Sequence, residues 1–494
     1  MAFDIRLSRR SLLLASGSAV AGLALRPGAA AASGDAVEKR LIAAPGQARI
    51  LTQPSPQTGV WCYNGKTPGP EIRLRQGERL RLVVENQLPQ HTTIHWHGLR
   101  VPNAMDGAPE VTQPPIQPGG SFTYEFAVPD TGTYWYHPHA HSAEQVGRGL
   151  YGAFIVEEPE PLPVDRDLVW VLGDWRLEPD ASIAGDFHNP MEMSMSGRVG
   201  NTVTINGRVP GTFPTRSGER LRLRLINAAP ARIFGLEFKG HRPIVVAYDG
   251  QPIEPHVPEG GRVVLGPAMR VDLVLDMAGE PGSTAPVIDT FYEGLSFKLV
   301  DLRYTDEPTL RAQPLNPPAK LPANTMPEPD IARAQRHSVT LTGGMMSGMS
   351  GGMGGMMGGS GMSGGMSGMM GGSGMGGGMG GMMGNGAMWA INGIAAQGHN
   401  MKPILTLARG KTYILAIDNQ TAWYHPIHLH GHSFRVITRN GTTTQYQEWR
   451  DTVLIPPRER AEIAFVADNP GDWMFHCHIL DHQEAGMMSV IRVM

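Results

Sequence analysis

Cysteine is nearly missing from this chain: Cys62 and Cys477 are the only two in 494 residues. That excludes a disulfide-stapled scaffold, which needs several pairs. Charge of one sign is missing too. A net charge of −3 offers no basic face for nucleic acid. Beyond the N-terminal segment no apolar run approaches the length that spans a bilayer, so no stable membrane span is expected in the mature chain. Long helical periods are scarce. What remains is a chain long enough for about three domains, with 41% hydrophobic residues to fill their cores.

The N-terminus reads "LSRRSLLLASGSAVAGLALRPGAAAASGDA". Arg9 and Arg10 precede a weak apolar run broken by Ser16, Gly17, Ser18 and Gly22, and Ala30–Ala32 offers a small-residue cleavage site. Residues 1–32 therefore read as a twin-arginine export signal rather than an anchor, which predicts a periplasmic protein handled by the twin-arginine machinery. Such signals resemble those of proteins exported already folded.

Three segments repeat one pattern. "NGKTPGPEIRLRQGERLRLVVENQL" begins at Asn64, "NGRVPGTFPTRSGERLRLRLINAA" at Asn206 and "NGIAAQGHNMKPILTLARGKTYILAIDNQT" at Asn392. Each has an Asn-Gly turn, then an alternating strand that ends in Asn. Short alternating strands divided by turn residues predict β-sandwich or barrel units. The Asn-Gly positions lie 142 residues apart and then 186; the excess of 44 equals the length of Gly343–Gly386, built only from Gly, Met, Ser and one Asn. The tract thus reads as an insertion into the third repeat. The Pro-rich stretch 306–336 reads as an extended surface linker. Cys62, in "VWCYNGK", reads as a small buried residue of a strand.

Histidine is organised. With 18 in the chain, about 0.65 His-x-His pairs are expected by chance, and there are six. Four sets lie near predicted strand ends: His95/His97, His137/His139, His428/His430 and His476/His478. A lone histidine is usually a surface or satisfied core residue; four paired sets point to metal. Along a strand, i and i+2 share a face and i+1 takes the other. His476 and His478 therefore face one way and Cys477 the other, so one tripeptide serves two metal sites. Cys477 with two histidines and a weak thioether makes the set of an electron-transfer copper. His425, His482 and Met487 fit the remaining places. The eight paired imidazoles are too many for one ion.

These motifs resemble the multicopper oxidase family across nearly the whole mature chain. The resemblance implies an all-β fold of three cupredoxin-like Greek-key sandwiches: residues 36–158, 165–305 and 337–494, the last carrying the Met/Gly-rich insertion 343–386. It implies four copper ions. His425, Cys477, His482 and Met487 would bind the type 1 copper, with Met487 implying a moderate potential. His95 and His428 would bind the type 2 copper, and His97, His137, His139, His430, His476 and His478 the type 3 pair. The middle domain, lacking His-x-His, looks like a copy without metal. A small reducing substrate would give electrons singly to the type 1 copper, and these would pass through Cys477 to the cluster, where O2 becomes two waters. Asp106 in "HGLRVPNAMDG" matches the family's carboxylate near the cluster, against the alternative of a solvated loop residue. The bacterial branch usually has Glu directly after the type 1 histidine. Gln483 stands there, with Glu484 next and Asp481 before, so Glu484 is the displaced candidate for a second proton path.

The tract 343–386 holds 14 of the 28 methionines. A flexible linker explains its Gly and Ser but not its Met. Thioethers select Cu(I), and the tract resembles the methionine-rich insert of bacterial copper-efflux (cuprous) oxidases, here expected to be disordered and to bind additional Cu(I). The expectation is an exported oxidase of Cu(I). The alternatives are a laccase-like oxidase of phenols or aromatic amines, an oxidase of Mn(II) or Fe(II), and copper sequestration by the tract.

Overall fold

The computed structural model describes residues 36–311, 313, 315–345, 388–396 and 401–494. The export signal and most of the methionine tract lie outside the described residues. Three pairs of facing sheets follow one another along the chain. In the first sandwich, strands Val37–Ala48, Thr58–Tyr63, Arg79–Asn86 and Ser121–Ala127 face Ile72–Arg75, His95–His97, Gly132–His137 and Gly152–Glu157. The middle sandwich pairs a six-stranded with a five-stranded sheet, and the third a seven-stranded with a five-stranded sheet. Each sandwich buries its own apolar cluster. Among the described residues no helix is long and apolar enough to cross a membrane.

The repeats are copies in three dimensions. Asn64, Asn206 and Asn392 all adopt positive φ, at 52°, 51° and 53°, each followed by a positive-φ glycine. Asparagine tolerates this conformation and glycine prefers it, which makes the Asn-Gly pair a tight hairpin turn. Each Asn side chain also accepts a backbone N–H, from Ile42, Val171 and Thr340 respectively. The strand-ending Asn86, Asn227 and Asn419 are equivalent as well. Each amide donates to at least two carbonyls across the following loop, including Ile116, Leu265 and Ile455 in turn. In all three units the first long strand runs parallel to the strand that ends in this Asn.

Three features add to the reading of sequence alone. The strand "RLRLRLIN", Arg220–Asn227, is buried on both faces. Its arginines are paired: Arg222 with Glu158 and Asp272, Arg224 with Asp167 and Asp272. Because Glu158 follows the last strand of the first sandwich, these pairs lock the first two sandwiches together. The Pro-rich stretch is mostly exposed but anchored where Asn324 is buried and bonds to Thr131 and Gln251. The third sandwich begins at Gln335, two residues inside the stretch 306–336, and its first strand, Gln335–Gly343, runs into the first residue of the tract.

Candidate metal centre

Strand pairing sets the two faces. His428 lies directly opposite His476, and Ile427 opposite Cys477, in the antiparallel pair His425–Leu429 and Gly471–Cys477. Opposed residues share a face. His476 and Cys477 therefore turn away from each other, as their spacing predicts. In the first sandwich His95 lies opposite His137. The four His-x-His sets meet between the first and third sandwiches, and His95, His97, His137, His139, His428, His430, His476 and His478 are all buried.

Hydrogen bonds fix the tautomers. Nδ1 of His95, His137, His428 and His476 each points at a carbonyl, of Asp106, Pro138, Asp451 and Cys477, at 2.8–2.9 Å. A carbonyl only accepts, so each Nδ1 carries the proton and each Nε2 is a bare lone pair. Nδ1 of His430 likewise donates to Asp106 Oδ2 at 2.8 Å. The bare nitrogens then face one another. His430 Nε2 lies 3.0 Å from His476 Nε2, and His95 Nε2 lies 3.4 Å from His428 Nε2. Two acceptors at that distance repel unless a cation lies between them. Protonation is not the answer, because burial and mutual repulsion hold His97, His137, His139, His430, His476 and His478 well below the ordinary histidine range. Buried Nδ1 atoms of His97 and His478 have no hydrogen-bond partner at all. The donor set thus fits metal ions, several of them. Overlapping groups of three, such as His95/His428/His430 and His139/His430/His476, have their ligand atoms within 4.8 Å of one another.

On the other face, Cys477 Sγ lies 3.5 Å from His425 Nδ1 and 3.7 Å from His482 Nδ1. The two imidazoles are 3.2 Å apart through the same atoms. His482 Nε2 donates to the carbonyl of Met195 at 2.7 Å, a residue of the middle sandwich, which leaves its Nδ1 bare. Thr421 Oγ1 donates to Asn419 and receives His425 Nε2 at 2.8 Å. Burial pushes His482 down to about 3 and pushes the Cys477 thiol up. A thiolate here needs a cation to form, which is what a soft metal supplies. Met487 is fully buried in the apolar cluster that holds Cys477, and its carbonyl accepts the Cys477 N–H. Cys62 is a buried free thiol in strand Thr58–Tyr63, bonded to the Ala44 carbonyl.

The two candidate carboxylates are placed differently. Asp106 is buried, with Oδ1 3.3 Å from His95 Nδ1 and Oδ2 on His430. Glu484 touches no cluster histidine. It accepts the Ala143 N–H and the Ser142 hydroxyl and pairs with His188, holding His188 above the ordinary histidine range. Sequence reasoning missed Asp451 and Arg270. Asp451 Oδ1 lies 3.2 Å from His97 Nε2, and Arg270 of the middle sandwich grips both of its oxygens. "WRDTV" carries no motif that marks such an aspartate.

Sequence models described as Multicopper oxidase match residues 46–161, 166–283 and 380–494. The multicopper oxidase MmcO of Mycobacterium tuberculosis is 31% identical, covering 98% of this chain and 97% of that protein. A copper resistance protein A homolog of Pseudomonas syringae pv. tomato is 27% identical over 87% of this chain and 88% of that one. Among solved structures, a multi-copper oxidase from Pseudomonas thermotolerans superposes with a TM-score of 0.77 at 34% identity, covering 93% of this chain and all of that one. The laccase-like CueO of Ochrobactrum sp. gives 0.75 at 26% identity over 92% and 97%. The chain belongs to the multicopper oxidase family, and is an oxidoreductase that passes electrons from a reducing substrate to dioxygen.

Proposed function

We propose that this chain is a periplasmic cuprous oxidase, exported by the twin-arginine route, that protects against copper by oxidising Cu(I). One observation carries the substrate. Both ends of the methionine tract are fastened beside the thiol group. The Met345 N–H donates to Ser194, and the Trp423 indole N–H donates to the Met345 carbonyl. The Met388 N–H donates to Ala485, and the next residue, Trp389, packs its ring 4.2 Å from that of His482. A run of thioethers leaving and rejoining the fold at that place gathers a soft monovalent ion where electrons are taken up. Relatives named for copper resistance support the same reading.

In this reading His425, Cys477, His482 and Met487 hold the type 1 copper. His95 and His428 hold the type 2 copper, and His97, His137, His139, His430, His476 and His478 the type 3 pair. Bound copper supplies one-electron redox steps and the place where dioxygen becomes water. The chain supplies the path and the protons. Cys477 shares peptide bonds with His476 and His478, which makes a short covalent link between the two groups. Asp106 orients His430 and His95 and holds a proton acceptor at the cluster. Glu484 is the outer carboxylate, on a cavity that also touches His139. Residues 36–158, 165–305 and 337–494 are the three cupredoxin units, the second and third joined by 306–336. Oxygen consumption by copper-loaded protein, offered Cu(I), Fe(II), Mn(II) and a phenol in turn, tests the substrate. Cu(I) should be fastest; a phenol or another metal ion ahead of it overturns the reading.

A further inference from the structure

Met487 and Met488 are neighbours with opposite surroundings. Met487 belongs to the face of Cys477. Met488 lies directly opposite His476 in the antiparallel pair Gly471–Cys477 and Met488–Val493. It therefore shares the His476 face, as does Met474, two residues before His476 on the same strand. These two thioethers have no part in the oxidation described above. With Met401 they line a cavity of about 190 Å³, and the imidazoles of His91, His139 and His141 line it too. His91 and His141 pack with ring centroids 4.5 Å apart. His139 is the most exposed of the eight cluster histidines, at 5%, and its Nε2 faces His476 at 3.3 Å. The cavity thus ends on the cluster.

A second observation points to a ligand. Gln483, on the cavity wall, is 97% buried, and its Oε1 has no hydrogen-bond partner. A buried amide oxygen left unpaired is destabilising, so such an atom leaves room for a guest that supplies a donor or a positive charge. The donors around it are three thioethers and three imidazoles, with one carboxylate, Glu484, turned to the Ser142 hydroxyl, the Ala143 N–H and His188. Soft sulfur with imidazole selects Cu(I), whereas Cu(II) takes a thioether only as a weak, long ligand.

We infer that this cavity is a Cu(I) delivery site through which the eight-imidazole cluster is filled. The ion passes from Met474 and Met488 to His139 and His476 as Cu(I). No electron moves, and His476 gives up no proton, because its Nε2 is already bare. The inference rests on the copper assignment proposed above for the eight imidazoles. It accounts for a feature that Cu(I) oxidation leaves unused: thioethers on the side of the sheet away from the thiol group.

The test uses the whole mature chain, stripped of copper, and its variants Met474→Leu and Met488→Leu, singly and together. Leucine keeps the volume and removes the sulfur. Copper is offered as Cu(I) without oxygen or as Cu(II). Metal content is read at timed intervals, with the type 2 paramagnetic signal and the type 3 near-ultraviolet band read after air is admitted. The blue colour of the thiol group reports that each variant is folded. In the double variant, cluster filling from Cu(I) should slow by about tenfold or more, while filling from Cu(II) and the blue colour match the parent. Parental filling from Cu(I) overturns the inference. So does equal slowing with both ions, which marks a packing role. So does normal filling with slowed oxygen consumption once loaded, which marks a route for oxygen. A parent chain that never takes up more than the blue copper overturns the eight-imidazole assignment itself, whatever the variants do.

Discussion

Arg270 donates to both oxygens of Asp451, at 2.8 Å and 2.5 Å, and so ties the middle sandwich to a cluster it gives no histidine. Asp451 in turn reaches His97 through its carboxylate and His428 through its carbonyl, one histidine from each outer sandwich. Arg270 overcomes burial and keeps the Asp451 carboxyl below its usual range, while the neighbouring Asp249 is pushed up to about 6. Gly98, at φ +87°, makes room for the pair: a Cβ there would lie 2.3 Å from the Arg270 guanidinium. Asp451→Asn removes one charge and leaves the other buried, which costs about 3–5 kcal/mol. The variant should melt earlier and lose copper from the eight-imidazole group while staying blue. Parental copper content and melting temperature would show that the pair merely fills space.

Cys477→Ser should abolish the blue colour and all oxidase activity, and leave the far-ultraviolet dichroism intact. Thiolate-to-copper charge transfer needs sulfur, and so does the covalent link to His476 and His478. A variant that remains blue would remove Cys477 from the thiol group.

Asp106→Asn should slow turnover with every substrate and leave the blue copper reducible. Its amide oxygen can still receive His430 Nδ1, so the ring stays oriented, but the side chain can no longer take a proton. Stopped-flow bleaching of the blue band at the parental rate, with oxygen consumption reduced, is the expected split. Equal oxygen consumption across the pH range would leave Asp106 only the task of orienting His430.

The fold was legible because its signals are local. Three Asn-Gly turns and three strand-ending asparagines recur in sequence and do the same work in each sandwich. The two-sided design at Cys477 was legible for a similar reason: strand alternation depends on nearest neighbours alone. Charge pairing was not. Nothing near Arg222 or Arg270 in sequence announces Glu158 or Asp451, since those partners lie on other sandwiches. "RLRLRLIN" alternates like a strand with one wet face, and only the packed assembly fills that face with acids. The Gln483 position had a family expectation attached to it, yet its unpaired oxygen appears only once the cavity walls are assembled.

Stability without copper should fall steeply in mild acid. Burial holds His482 at about 3 against 6.5 in the unfolded chain. The unfolded chain takes up the proton first. This contribution is fully present above about pH 6.5 and is lost as pH falls towards 3. At pH 5 one such histidine costs about 2 kcal/mol. His97, His137, His139, His428, His430, His476 and His478 are shifted the same way and add to it. Bound metal competes with these protons, so the melting gap between loaded and stripped protein should widen from pH 7 to pH 5. A gap that stays constant would mean that the imidazoles are not metal ligands.

Removing residues 346–387 should move two activities in opposite directions. The strands on either side already form a hairpin: Leu341, Thr342 and Gly343 pair with Ile391, Ala390 and Trp389. The Gly344 N–H donates to the Met388 carbonyl at 3.0 Å. Gly343 has φ +109°, and a Cβ on it would lie 2.2 Å from that same carbonyl, so the chain turns here on glycine. A two-residue Asn-Gly link therefore suffices to close the gap, and a shorter loop costs no closure entropy. None of the twelve proposed ligands is removed, so copper content and colour should persist. Cu(I) oxidation should fall, because the thioethers that collect the ion beside His482 and Trp389 are gone. Oxidation of a bulky phenol should hold or rise, because the approach to the same ring edge is cleared. Both rates are measured on one copper-loaded preparation with and without the tract. Unchanged Cu(I) oxidation would make the tract a storage arm or a linker and take away the strongest support for a cuprous oxidase.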